Sequence, residues 1–432
     1  MTDTPAPILD FDPTVAAIIE PQALHPKIDG PPHRCVITWM GDAFAEFEKN
    51  QDIVERHRFA LETIVNPIYE FDVDGEKILV TIANVGAPAA AALFDLPLRP
   101  RLEMVAASTD ASAERYRAAY GFARATGDWR ALVADDAVEA VVIAVPPAHH
   151  RDIVEAAARL GKPVLCEKPL GAELEDARAM VAAAEGAGIV AQTGFNYVRT
   201  PACQYARKLL ADGAIGRVHW ARLEHTEDFF ADPDEWAWRA EGAANGCLGD
   251  LAPHPINLAL ALMGPVEALS ARLTTIIPER AGRPVTNDDS VDMSLRFASG
   301  AQGHLFASRV ATGRKMGYAY DIYGTDGAIR FDGEDQNALW LYRRSGPEAE
   351  RGFTKILTGP EHPDYAAFCQ GPGHGTGYLD QIIIEAKDFL MSIHEGAARF
   401  PTFRDGLEVA RVAAAARKAH ETGGWVRLEE IA

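Results

Sequence analysis

The chain has 432 residues, 48% hydrophobic and 24% charged, with a formal net charge of −20. This length suits two or three domains, and the composition is that of a globular chain rather than a disordered or fibrous one. Nucleic acids and anionic membranes call for clustered cations, no apolar run is long enough to cross a bilayer, and the opening MTDTPAPILD is acidic. A cytoplasmic protein with no nucleic-acid or membrane partner is therefore expected.

Residues 1 to about 32, rich in Pro and Asp, read as an arm or tail. RCVITWM, from Arg34, reads as a strand, Asp42 to about Val65 as a helix, and IYEFDVDGEKILVTIANV as a hairpin turning at Asp74 and Gly75. GAPAAAALFDL reads as a turn opening into a helix, with Pro88 in its first turn. Strands and helices then alternate: RLEMVAAST, SAERYRAAYGF, AVEAVVIAV, RDIVEAAARL, PVLCE, ELEDARAMVAAAEGAG, IVAQTGF. The alternation predicts an α/β domain, a Rossmann-like doubly wound parallel sheet over 77–195. After the helix TPACQYARKLLADGAIG, strands with polar and apolar alternation dominate. They predict an α+β domain over 196–432 with a large open, mostly antiparallel sheet. Helices near Tyr378 to His394 and Asp405 to Thr422 close the chain, the last a candidate to pack back on the first domain.

A dinucleotide fold binds its cofactor at the carboxyl ends of its strands, with the pyrophosphate on a helix N-terminus. A GxGxxG signature here falls on Asn84, Gly86 and Ala89, with only the middle glycine literal, and Ala87 completes the turn. Gly permits close approach of backbone to phosphate and Asn tolerates a left-handed turn, but an ordinary strand-to-helix turn reads the same way. The next strand ends at Ser108, Thr109 and Asp110, so the ribose-reading carboxylate stands one place late; NAD is favoured and NADP stays open. The five cysteines form no CxxC or Cys/His pair, so no metal site is expected. PVLCEKPLG ends a buried strand on Glu167, Lys168 and Pro169, which suggests that Lys168 is aimed at something.

In order and spacing, AVVIAVPPAHH, LGKPVLCEKPLG, QTGFNYVRTPACQYARKLLADGAIG and GCLGDLAPHPINLALALMG resemble the Gfo/Idh/MocA oxidoreductase family, from about Lys77 to the C-terminus. Later segments are similar to its branch with levoglucosan dehydrogenase and inositol 2-dehydrogenase-like enzymes. The resemblance implies oxidation of a sugar or polyol hydroxyl with a nicotinamide cofactor. It also implies a homodimer or homotetramer built through the second sheet, and a catalytic group of Lys168, Asp250 and His254. That assignment makes chemical sense: His254 would take the hydroxyl proton, Asp250 would orient it or hold a substrate hydroxyl, and Lys168 would stabilise the developing alkoxide. Pro146, Glu167 and Asn196 are implied near the nicotinamide, Asn196 also near the reacting carbon. Arg199, Trp238, Arg239, Arg309, Lys315 and His374 are candidates for the substrate pocket.

One departure stands out. ITWMGDAF and IYEFDVDGEKILVTIANVGAPAAAALFDL look similar to the start of uridine phosphorylase-type nucleoside phosphorylases, so 1–76 is read as an N-terminal extension. Two readings stand beside the dehydrogenase: a non-catalytic sugar- or nucleotide-binding relative, and a nucleoside-binding fusion protein.

Overall fold

A computed structural model describes residues 87–431 and, by backbone alone, four strands before them. The chain divides into two units, Met1–Gly127 and Asp128–Ala432. In the first, β1 (Arg34–Ile37), β2 (Val54–Ala60), β3 (Val65–Val73) and β4 (Glu76–Thr81) form a sheet of order β1-β4-β3-β2. β3 and β4 are the expected hairpin. VERHRFA, within the segment read as a helix, is instead β2, antiparallel to β3; pairing with a neighbour overrode a weak local period. The rest of that expected helix, and the turn at 82–86, lie outside the described residues.

The same unit continues with α1 (Ala87–Leu93), β5 (Met104–Ala106), α2 (Asp110–Tyr120) and β6 (Arg124–Thr126). β5 and β6 are parallel. The Thr109 hydroxyl caps α2 by accepting from the Ser112 amide.

The second unit opens with α3 (Trp129–Ala134), β7 (Val141–Ile143), α4 (His150–Arg159), β8 (Val164–Glu167), α5 (Leu174–Ala187) and β9 (Ala191–Gly194). β7, β8 and β9 form a parallel sheet in that order, in the register Val141, Val164, Ala191. Val164, Leu165 and Cys166 are buried, as an apolar run between two layers requires. Burial holds the Cys166 thiol well above its ordinary range, so this cysteine is core.

Next come α6 (Pro201–Ala211), β10 (Val218–Thr226), α7 (Cys247–Asp250), α8 (Pro253–Met263), β11 (Val266–Thr274), β12 (Glu279–Arg280) and β13 (Arg283–Pro284). They are followed by β14 (Ser290–Phe297), β15 (Gln302–Ser308), β16 (Gly317–Gly324), β17 (Gly327–Asp332), β18 (Ala338–Arg343) and β19 (Thr354–Leu357). α9 (Tyr378–Glu395), α10 (Phe403–Thr422) and β20 (Val426–Arg427) end the chain. The large sheet has the order β19-β18-β17-β16-β10-β15-β14-β11-β20. Only β10 and β15 pair in parallel; every other neighbour is antiparallel.

Alternation along the strands puts Leu223, Leu269, Met293 and Leu305 on the covered face. There they share one core with Ala202, Ala206 and Leu209 of α6, Ile256 and Ala259 of α8, and Val409, Val412 and Ala416 of α10. The small residues of α6 and α10 let the helices lie close on the sheet. The start of α10 also reaches β9: the Thr193 amide donates to Pro401 O (3.1 Å) and its hydroxyl to Thr402 O (3.1 Å). A side chain on Gly406 would meet Thr193 Oγ1 at 2.5 Å, so only glycine fits there. Among the described residues, no helix is long and apolar enough to cross a membrane.

Candidate active site

Parallel strands β7, β8 and β9 end on one edge of their sheet, and each delivers a singled-out residue just beyond its end. Pro146 follows β7, Lys168 follows β8 and Asn196 follows β9. Pro169, which has no N–H, stops β8 after Lys168, and the peptide joining them is cis. Glu167 turns back so that Oε2 accepts from the Lys168 amide (3.2 Å), and its carboxylate lies against Gly194.

Lys168 donates from Nζ to Asp250 Oδ1 and to the Asp250 carbonyl, both at 2.9 Å. Arg239 Nε donates to the other carboxylate oxygen, Oδ2, at 3.0 Å. Asp250 therefore bridges two cations. Burial pushes its carboxyl up, and Lys168 and Arg239 overcome that push and hold it below the usual carboxylate range.

Asp250 ends α7, a single turn, and His254 stands in the first turn of α8. Asp288 holds the start of α7: its carbonyl accepts from the Cys247 amide (2.9 Å) and its carboxylate from the Leu248 amide (2.7 Å). Within α7, a Cβ on Gly249 would stand 2.1 Å from Ala244 O, which explains the glycine there.

The His254 imidazole is buried among rings. Tyr197 overlies it at 4.2 Å between centroids; Phe195 (6.0 Å) and His225 (5.4 Å) approach edge-on. Burial first, then the neighbouring Lys168 and His225, push its pKa well below the ordinary histidine range. At neutral pH the ring is uncharged and free to accept a proton. A base and an ammonium acting on one another, beside a carboxylate that fixes the ammonium, suit removal of a hydroxyl proton.

The other expected residues sort differently. Arg199 is not brought to this cluster: it is buried, pairs with Asp388 of α9, and burial lowers its pKa to about 10. Arg309 is buried too and donates to Asp289 Oδ1, Asn287 Oδ1 and the carbonyls of Arg239 and Asn245, tying down the loop that carries Arg239. Lys315 pairs with Asp228, and His374 is exposed. Trp238 opens the turn Trp238–Ala240; its side chain is outside the described residues, as are Asn84 and Gly86. Ala87 begins α1. Thr109 is engaged as the α2 cap, and Asp110 Oδ1 accepts from the Gly127 amide (2.5 Å).

Sequence reasoning passed over Tyr197 and His225. Both reach His254 from other elements, so no spacing reveals them. Among the described residues, no group of His, Cys, Asp or Glu could hold a metal.

The residues present fit a nicotinamide ring at this edge. Asn196 keeps a buried amide nitrogen with no hydrogen-bond partner among the described residues, two positions beyond Gly194, which pairs with Glu167 at the sheet edge where α/β folds bind dinucleotides.

A profile described as "Oxidoreductase family, NAD-binding Rossmann fold" matches residues 80–195, and one described as "GFO/IDH/MocA C-terminal domain" matches 203–330. Levoglucosan dehydrogenase of Pseudarthrobacter phenanthrenivorans is 36% identical over 356 residues, 78% of this chain and 91% of that protein. Inositol 2-dehydrogenase of Rhizobium meliloti is 29% identical over 320 residues, 73% of this chain and 88% of that protein. The solved structure of levoglucosan dehydrogenase in complex with NADH and levoglucosan matches with a TM-score of 0.77 at 36% identity, covering 79% of this chain and 95% of that one. A Rossmann NAD-binding domain followed by a domain with a mostly antiparallel sheet is thus the architecture of this chain, which belongs to the Gfo/Idh/MocA family of oxidoreductases.

Proposed function

We propose that the protein oxidises a secondary hydroxyl of a sugar, inositol or anhydrosugar, with NAD as hydride acceptor and NADP as the less favoured cofactor. The observation that carries this is the meeting of Lys168, Asp250 and Arg239 beside a neutral, buried His254. Bound nicotinamide supplies the hydride-accepting carbon. His254 takes the hydroxyl proton, and Lys168 holds its ammonium against the oxygen on which negative charge grows. Asp250 fixes Lys168 and, with Arg239, offers polar contacts to the remaining hydroxyls. Glu167, Pro146 and Asn196 line the nicotinamide end; Asn84, Gly86 and Ala87 would take the pyrophosphate, and Thr109 and Asp110 the adenosine ribose.

The same reading divides the chain into an extension (1–76), a dinucleotide domain (77–195) and a substrate and assembly domain (196–432). It describes a cytoplasmic homodimer or homotetramer with small-molecule partners. Levoglucosan and inositol come first in any screen because the relatives carry those names. The test is a fluorescence titration with NADH and NADPH, followed by turnover assays on anhydrosugars, inositols and aldoses. Saturable NADH binding and NAD-dependent oxidation of one of these classes is the expected result; no binding of either nicotinamide at millimolar concentration overturns the proposal.

A further inference from the structure

His225, on β10, is only 2% exposed, and its ring meets that of His254 at 5.4 Å and 76°. Both of its nitrogens face acceptors. Nε2 lies 2.8 Å from Glu227 Oε1, and Nδ1 lies 3.2 Å from the carbonyl of Leu251. A carbonyl and an ionised carboxylate only accept, whereas a neutral imidazole has a single N–H to give. Satisfying both contacts takes one proton more than a neutral ring and a carboxylate hold together. Leu251 makes the arrangement matter, since its carbonyl also accepts the backbone N–H of His254 at 3.2 Å. One acceptor therefore ties His225 to the segment that joins Asp250 to His254.

We propose that His225 and Glu227 form a proton-holding pair that positions His254 and, by presenting the positive end of the shared charge to its ring, keeps it unprotonated as a base. The pair is a positioning device and does not itself touch the reacting atoms. Only the role of His254 as a base rests on the dehydrogenase reading; the geometry of the pair stands without it.

The other groups facing His254 do not replace this pair. Lys168 approaches from the end of β8 with its charge shared by Asp250, which Arg239 also binds. Tyr197, from the turn after β9, stacks on the ring, and Tyr318 of β16 packs against Tyr197 and His225. Burial pushes both phenols above the ordinary tyrosine range, so they add no charge. Phe195 is apolar.

Glu227→Gln separates charge from shape. The Gln amide donates to Nε2 while Nδ1–H keeps its bond to Leu251, so the ring stays in place and the extra proton is lost. His254 then protonates more readily. The acidic limb of the kcat/KM profile should move to higher pH by about half a unit, because the substitution removes both charges of an ion pair and only its positive end is the nearer to His254, while Glu227→Asp returns it toward the wild-type position. A Glu227→Gln limb that coincides with wild type, or a uniform loss of activity with no displacement of the limb, overturns the proposal. NMR titration of the His254 ring, assigned with His254→Gln, reads the same displacement without turnover. An inactive protein in which that titration moves would sustain the pair and sink the dehydrogenase reading; a titration that does not move would sink the pair alone.

Discussion

Two clusters in the second unit are built alike, each a carboxylate bridging two cations, and they differ in what surrounds them. Asp289 takes Arg280 and Arg309 on its Oδ1 and the amides of Ile276 and Ile277 on its Oδ2, with all three charged side chains 0% exposed. Asp250 takes Lys168 and Arg239, but the Lys168 side chain is 19% exposed. The sealed cluster is closed off from any ligand, and it fastens the loop whose Arg239 reaches Asp250. The open cluster keeps an ammonium beside a base and within reach of solvent. Burial, rather than the residue types involved, separates scaffold from chemistry here.

The largest effect should come from breaking the sealed cluster. Arg309→Met leaves Asp289 buried with one cation fewer, and the expected cost is about 3–5 kcal/mol of folding stability, read by urea or thermal unfolding. Loss below about 1 kcal/mol would mean that the cluster is not the fastening it is taken for.

Next comes the open cluster. Lys168→Ala removes the group that meets developing negative charge, and kcat should fall by about 10²–10³-fold with NADH affinity nearly unchanged. Stability should change little, because Asp250 keeps Arg239. Undiminished turnover would reject the role assigned to Lys168.

These two clusters also show what can be read in a sequence. The end of β8 was legible because its causes are local: an apolar run, then two charges, then a residue that cannot pair. β7, β9 and the strands around β14–β18 were legible from apolar runs or alternation. Lys168, Asp250 and His254 were legible only together, through a family pattern. Arg199 looked like a substrate donor because its partner Asp388 lies 189 positions away, and nothing near Arg199 announces it. VERHRFA carries no firm period, so its pairing with β3 decided its conformation. Tyr197 and His225 are ordinary aromatic and strand residues until the fold sets their rings against His254.

A smaller effect lies in the pH dependence of the intact protein. Burial, Lys168 and His225 all disfavour the charged His254, so its neutral form persists to lower pH than in an ordinary histidine. The sign is fixed: kcat/KM should stay level on falling through the usual histidine range near pH 6.5, and decline only at more acid values. A limb centred at or above that range would show that His254 is not the base.

The smallest effect should come from Arg239→Gln. Arg239 is the more exposed cation of the open cluster, and screening by water reduces what such a partner contributes, to about 1 kcal/mol or less. Asp250 would keep Lys168, so kcat should fall by no more than about fivefold, the factor that corresponds to such an energy. The Asp250 carboxyl, with burial now opposed by one cation instead of two, should protonate at higher pH, and activity should be lost earlier on acidification. If Arg239→Gln instead matched Lys168→Ala in its loss of turnover, the two cations would be acting on the substrate as equals, and the distinction between a holding partner and a reacting one within this cluster would have to be given up.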